Sequence, residues 1–65
     1  MKNIIKELRR EHNLSQENLA EKLNVSRQTI ISLENERYNP SLPLAMRIAK
    51  VFKTNVEKIF FLEED

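Results

Sequence analysis

The chain has 65 residues, which is enough for one small hydrophobic core but not for a second lobe. It contains no cysteine and one histidine, His12, so the composition excludes disulfides, thiolate metal sites and a histidine zinc site. It also lacks glycine, which removes the phosphate-cradling loops, dinucleotide-binding motifs and nucleophile turns of many enzymes. We expect a single domain over residues 1–65 that is not an enzyme and holds no metal or cofactor.

The charge balance is nearly neutral, with 11 basic and 10 acidic side chains. Glu63, Glu64 and Asp65 form a short acidic tail, and without them 11 basic residues stand against 7 acidic ones. This modest basic surplus suits a module that binds nucleic acid, and it suits many other proteins too. No apolar run approaches the roughly 18 residues of a membrane span, and no signal-peptide core follows Met1, so we expect a cytoplasmic protein without membrane contact.

Helix 1 is predicted from Lys2 to about His12, because apolar residues recur there at helical spacing. Asn13 is suited to ending this helix, since asparagine tolerates a positive φ. His12 receives no functional role. Ser15 then caps helix 2, which is predicted to end near Leu23.

The connection to the next helix is very short. Only Asn24 and Val25 separate the last apolar residue of helix 2 from Ser26, the cap of helix 3, which continues to about Asn35. Two capped helices joined so tightly form a helix-turn-helix, in which one helix braces another whose end enters a DNA groove. Our first hypothesis is therefore sequence-specific binding to double-stranded DNA. The groove-facing side chains of helix 3 would be Arg27, Gln28, Thr29 and Ser32.

Two further helices follow. Ser41 caps helix 4, and Pro43 fits its first turn, where a missing amide hydrogen costs nothing. Thr54 and Glu57 are predicted to form a capping box that opens helix 5. Since no stretch has a clear strand pattern, the expected fold is a compact all-α domain of five helices.

The C-terminal segment carries more apolar surface than a short fifth helix needs for the core. Packing within the chain accounts for Ile59 and one phenylalanine, and the surplus suggests a self-complementary patch through which two copies pair. The candidate dimer residues are Val56, Ile59, Phe60, Phe61 and Leu62.

The chain resembles the phage-repressor and Cro-like (XRE-type) helix-turn-helix family in the run L-S-Q-E-x-L-A-x-x-L-x-V-S-R-Q-T-I, followed by L-E-N and Y-N-P-S-L. The resemblance extends from Ile5 to Phe60. It implies a lambda-repressor-like DNA-binding domain of five helices. It also implies a transcriptional regulator, most often a repressor, that binds a two-fold symmetric operator as a homodimer. We expect no small-molecule ligand.

Carried over by position, the resemblance makes helix 3 the recognition helix. Arg27, Gln28 and Ser32 occupy base-reading positions, and Thr29 lies close to base or phosphate. The chemistry agrees, because arginine matches the acceptors of guanine and glutamine can pair with adenine in the major groove. The competing interpretation is that they are ordinary solvated side chains of a first helical turn.

The resemblance also assigns residues to the DNA backbone and to the fold. It places Gln16, at the start of helix 2, on a phosphate, and it joins Arg9 and Glu34 in a salt bridge between helices 1 and 3. For Tyr38, packing of the ring on helix 4 competes with a phosphate contact of its hydroxyl, and we favour the packing. The other phosphate candidates just beyond helix 3 are Arg37 and Asn39.

Two positions depart from the family pattern. Glu36 stands where glycine is common, so helix 3 is either extended or terminated through Asn35, and a negative charge lies near the expected phosphate path. Ile31 stands where many relatives carry a small polar residue; it either touches a thymine methyl group or is simply part-exposed.

The alternative function is a protein-interaction module, such as the antitoxin of a toxin–antitoxin pair. In that case helix 5 or the tail would neutralise the partner. We disfavour it, because the chain has no long extension that could wrap a toxin.

Overall fold

A computed structural model of the chain describes residues 1–63, so Glu64 and Asp65 of the predicted acidic tail lie outside the described residues. Within residues 1–63 the backbone forms five helices, which confirms the predicted all-α class. They are α1 (Ile5–Glu11), α2 (Gln16–Leu23), α3 (Arg27–Glu34), α4 (Leu42–Val51) and α5 (Val56–Ile59). Helices α2 and α3 are the two helices of the predicted helix-turn-helix.

Two very short strands join the ends of the described chain, β1 (Lys2–Asn3) and β2 (Phe60–Phe61). They pair antiparallel, and the register sets Asn3 opposite Phe60. The prediction that helix 1 begins at Lys2 is therefore wrong, and Phe60 lies in a strand directly after the fifth helix. The reason is that strand pairing between distant segments takes the backbone groups that a longer helix would have used.

The hydrophobic core is one cluster, and every helix contributes at least one buried side chain to it. The small residues Ala20 on α2 and Ala45 and Ala49 on α4 are also buried, and their size lets the helix backbones approach closely. Truncating a fully buried leucine or isoleucine typically costs about 2–5 kcal/mol, a large share of the stability of a small domain. The fully buried side chains are Ile5, Leu19, Leu23, Ile30, Leu33, Ile48 and Ile59.

Serine side chains begin three of the helices, as predicted from the sequence. Ser15 Oγ accepts the Asn18 amide at 2.9 Å, and the Asn18 side chain accepts the Ser15 amide in return at 3.3 Å. Ser26 and Ser41 each accept the amide three residues on, at 3.2 and 3.3 Å. Each cap satisfies a backbone donor that the first helical turn leaves unpaired.

Helix α5 begins without the predicted capping box. Its N-cap is Asn55, which makes no side-chain capping bond, so the prediction of Thr54 and Glu57 as a reciprocal pair is wrong. Thr54 instead belongs to the end of α4, because its amide donates to the Ala49 carbonyl at 2.9 Å. The four residues of α5 are held to the core by the buried side chain of Ile59.

Four helices end on a residue with a positive φ, although the chain has no glycine. For α3 this residue is Glu36, with φ of 60°, so the helix terminates through Asn35 rather than continuing. The Glu36 amide donates to the Leu33 carbonyl and the Arg37 amide to the Ser32 carbonyl, both at 3.0 Å, which is a Schellman motif. The other left-handed residues are Asn13, Asn24 and Lys53.

Replacing Glu36 by glycine should raise the free energy of unfolding by about 0.5 to 1 kcal/mol, because glycine adopts a positive φ without a Cβ penalty. Urea unfolding of the wild type and the Glu36→Gly variant measures the difference. The matched control is Glu57→Gly, which makes the same change inside α5 and should lower the free energy of unfolding. Equal effects of the two substitutions would contradict the role given to the backbone of Glu36.

Candidate nucleic-acid interface

The turn between α2 and α3 is held by backbone hydrogen bonds. Asn24 has φ of 57°, and the Val25 amide donates to the Ala20 carbonyl at 3.0 Å. The Val25 side chain packs against the core, while Leu23 before the turn and Ile30 after it are fully buried. Because both helices are anchored in the same core on either side of a short turn, α2 braces the start of α3.

The first turn of α3 presents polar side chains to solvent. Arg27 and Gln28 are exposed, whereas Thr29 and Ser32 are half-buried. The Thr29 hydroxyl lies 2.9 Å from Ser26 Oγ, so it already takes part in the N-terminal cap. Of the four predicted base-reading side chains, Arg27 and Gln28 therefore project furthest from the fold.

Gln28, Thr29 and Ser32 line a shallow depression of about 200 Å³ together with Tyr38, which we name the Tyr38 depression. Tyr38 is 44% exposed, so its ring is not part of the buried core. The ring stays outside because the chain after the Schellman motif runs along the surface and enters α4 only after Ser41. Arg27 does not line this depression and lies on the other side of the first turn.

One carboxylate, that of Glu34, joins three helices. Arg9 on α1 donates to it through Nε at 2.7 Å and through a terminal nitrogen at 3.3 Å. The two side chains are 11% and 4% exposed, and Arg9 also donates to the Leu14 carbonyl at 3.0 Å. The pair implied by the family resemblance is thus a nearly buried, bidentate ion pair between α1 and α3.

Gln16 is the third member of this network. Its side-chain nitrogen donates to the second Glu34 oxygen at 3.1 Å, which ties the first turn of α2 to the last turn of α3. This bond uses one of the two N–H groups of the side-chain amide, so the predicted phosphate contact of Gln16 can still use the other N–H or the Gln16 backbone amide.

The remaining phosphate candidates lie on the surface after α3. Arg37 and Asn39 are exposed, and the Asn39 side-chain oxygen accepts the amino group of Met1 at 3.4 Å. Glu36 is also exposed beside them, and Ile31 is half-buried. The structure thus brings positive and negative groups together at the C-terminal end of α3.

The predicted dimer residues divide into two groups. Ile59 is fully buried and Phe60 is 8% exposed, so their assignment to an intermolecular surface is wrong: the core of the same chain covers them. Phe61 is 41% exposed, Leu62 is 80% exposed and Val56 is half-buried. We name Phe61 and Leu62 the C-terminal apolar patch; Val56 lines a depression together with Met46 on α4.

Two residues that the sequence did not single out hold the interface helices in place. Asn3 donates to the Leu33 carbonyl at 2.8 Å and accepts the Ile5 amide at 3.1 Å, so it links the end of α3 to the start of α1. Arg47 on α4 donates to the Leu23 carbonyl at the end of α2. The contact between Asn3 and Leu33 and that between Arg47 and Leu23 each join residues more than 20 positions apart, so no local sequence pattern predicts them.

Within residues 1–63, no group of acidic, histidine or cysteine side chains is placed to hold a metal ion. None of the helices in that range has the length and apolar character needed to cross a membrane.

The tight turn, the bracing by α2 and the exposed first turn of α3 define a helix-turn-helix module built to place a helix end in a DNA groove. The helix-turn-helix family model HTH_3 matches residues 5–59 of the chain. The chain therefore belongs to this family, whose members are DNA-binding regulators rather than enzymes.

Similar proteins come from archaea, bacteria and a phage. The chain is 57% identical over 65 residues to the uncharacterized HTH-type transcriptional regulator MJ0272 of Methanocaldococcus jannaschii, covering all of this chain and 98% of that protein. It is 48% identical over 65 residues to the HTH-type transcriptional regulator YgzD of Bacillus subtilis, again with 100% and 98% covered. It is 42% identical over 55 residues to the immunity repressor protein of Bacillus phage phi105, covering 85% of this chain and 38% of that protein.

Removing one partner of the ion pair should cost far more stability than removing both. Arg9→Met alone is expected to lower the free energy of unfolding by roughly 3 kcal/mol, because it leaves the Glu34 carboxylate nearly buried without its cation. The double variant Arg9→Met, Glu34→Met should recover most of this loss, since no unpaired charge remains. Chemical unfolding of the two single variants and the double variant provides the test.

The control is Arg37→Met, which removes an exposed arginine and should change the free energy of unfolding by less than about 0.5 kcal/mol. A double variant whose loss equals the sum of the two single losses would show that the charges do not interact.

Proposed function

We propose that this protein is a transcriptional repressor that binds a two-fold symmetric DNA operator as a homodimer, with α3 of each copy in a major groove. The observation that carries the proposal is the first turn of α3, where Arg27 and Gln28 project into solvent from a helix held by α2 and the core. A major groove admits one α-helix, and a braced helix end is what sequence-specific contact requires.

Sequence choice comes from a small set of side chains. Gln28 can pair with adenine, Arg27 with guanine, and the half-buried Ser32 with either base, each good pair contributing about 1–3 kcal/mol of discrimination. Thr29 contributes less, because its hydroxyl already contacts the Ser26 cap at 2.9 Å. Base choice therefore rests chiefly on the exposed pair at the helix start.

Backbone contacts supply orientation and salt-dependent affinity. Arg37, Asn39 and the Tyr38 hydroxyl offer donors on the surface beyond α3, and the backbone amide of Gln16 offers one at the start of α2. Glu36 opposes a phosphate on the same surface, because a carboxylate repels the DNA backbone. We expect the contacts on the C-terminal side of α3 to be weaker for that reason.

Dimerisation falls to the C-terminal apolar patch. Phe61 and Leu62 are exposed apolar residues adjacent in sequence, and Val56 is half-buried nearby in the chain. A symmetric contact through one such patch would set two recognition helices about one turn of DNA apart, roughly 34 Å. Because so small a domain buries little apolar surface on its own, the apolar surface buried between two copies would add to its stability.

The repressor role is supported by the similarity to a phage immunity repressor, which covers 85% of this chain. We place the activity in the cytoplasm, where a regulator of this kind would reach DNA.

The double variant Arg27→Ala, Gln28→Ala should lose discrimination between an operator duplex, selected from a random pool with the wild type, and a scrambled duplex. The loss should be about 2–4 kcal/mol, with the melting temperature nearly unchanged, because both side chains are exposed. Fluorescence anisotropy titrations and thermal melts measure the two quantities. Lys58→Ala, which removes one positive charge from α5, is the control and should discriminate as the wild type does.

Equal binding of both duplexes by the wild type would overturn the specific-regulator proposal. Unfolding of the double variant would instead assign Arg27 and Gln28 to the fold.

Leu62→Asp should shift the protein from dimer to monomer, because it places a charge in the C-terminal apolar patch. Sedimentation velocity measures the state directly, and operator affinity should fall as one half-site alone holds the protein. Met46→Asp is the matched control: Met46 on α4 is 57% exposed and outside the patch, so the dimer should persist. A dimer that survives Leu62→Asp but not Met46→Asp would move the interface to α4.

A further inference from the structure

A second depression, of about 600 Å³, opens on the other side of the first turn of α3 from the Tyr38 depression. Its walls come from three helices: Lys6, Arg9 and Arg10 on α1, the first residues of α2, and Arg27 at the start of α3. We name it the basic cleft. Four of the 11 basic side chains of the chain therefore surround one depression, although the formal net charge is only +1.

The charges in the cleft are not equivalent. Arg9 is neutralised by the nearly buried Glu34 carboxylate at 2.7 Å. Glu17 is the one carboxylate among the lining residues, so it offsets one of the three remaining cations, Lys6, Arg10 and Arg27. The side chains that line the cleft therefore carry a net positive charge.

The arrangement of these cations matches an anion. Lys6 and Arg10 lie four residues apart on α1, so their side chains share one face of the helix. Ser15 and Gln16 line the same cleft, which places the positive end of the α2 dipole there. The bond to Glu34 holds the Gln16 side chain in place, whereas Lys6 and Arg10 are exposed, long and flexible cationic donors that can reach an anion.

We propose that the basic cleft binds a backbone phosphate of DNA through Lys6 and Arg10, with Arg27 on the opposite wall. This inference rests on the proposed function and extends the DNA-binding surface from the helix-turn-helix onto α1. A phosphate contact carries no sequence information, so the cleft adds affinity and fixes the orientation of the protein without changing base choice.

The test uses the full chain and the double variant Lys6→Gln, Arg10→Gln. Titrations with the selected operator duplex and its scrambled counterpart run between about 50 and 200 mM salt. At the lowest salt the variant should bind both duplexes about tenfold more weakly, and the slope of log affinity against log salt should shrink by about 1. The ratio of the two affinities should stay at the wild-type value.

The matched control is Lys50→Gln, Lys58→Gln, which removes the same charge from α4 and α5. It should keep the wild-type slope, and both variants should melt at the wild-type temperature, since all four side chains are exposed. An unchanged slope for the α1 variant, or an equal loss in the control, overturns the phosphate site. Failure of the proposed function looks different, because the wild type itself would then bind the two duplexes equally.

Discussion

The Glu34 carboxylate is the point at which the three helices of the interface are fixed to one another. It is the last residue of α3, and it accepts hydrogen bonds from Arg9 on α1 and Gln16 on α2. With 4% of its side chain exposed, the carboxylate has little water to replace a lost partner. The angle at which α3 leaves the fold therefore depends on this network, and so does every contact that its first turn can make.

The ends of the helices show how the fold satisfies its backbone without glycine. Serine caps begin α2, α3 and α4, and left-handed asparagine, glutamate or lysine residues end α1 to α4. Asn3 and Arg47 then bond to carbonyls at the ends of α3 and α2. Each of these bonds removes a polar group that would otherwise lie unpaired beside the core. The cost is backbone strain, of which Glu36 is an example beside the interface.

The first turn of α3 separates two chemically different surfaces. On one side Gln28, Ser32 and Tyr38 form the uncharged Tyr38 depression; on the other, Arg27 faces the basic cleft of α1. This division suits a helix end at which Arg27 and Gln28 contact bases while the α1 cations beyond Arg27 face the charged backbone. The strand pair links this surface to the C-terminal apolar patch, because Phe61 belongs to β2 and Asn3, which holds α3, belongs to β1.

Local sequence patterns predict the presence of the five helices, the serine caps of α2, α3 and α4 and the tight turn, because these features depend on residues within a few positions of one another. They also indicate the exposed side chains of α3, since helical periodicity separates Ile30 and Leu33 from Gln28. Contacts between distant segments become visible only in the folded chain. Such features arise from the packing of one element on another, which a local sequence pattern does not predict. They are the strand pair, the Asn3 bridge, the burial of Ile59 and Phe60, the exposure of Tyr38 and the basic cleft.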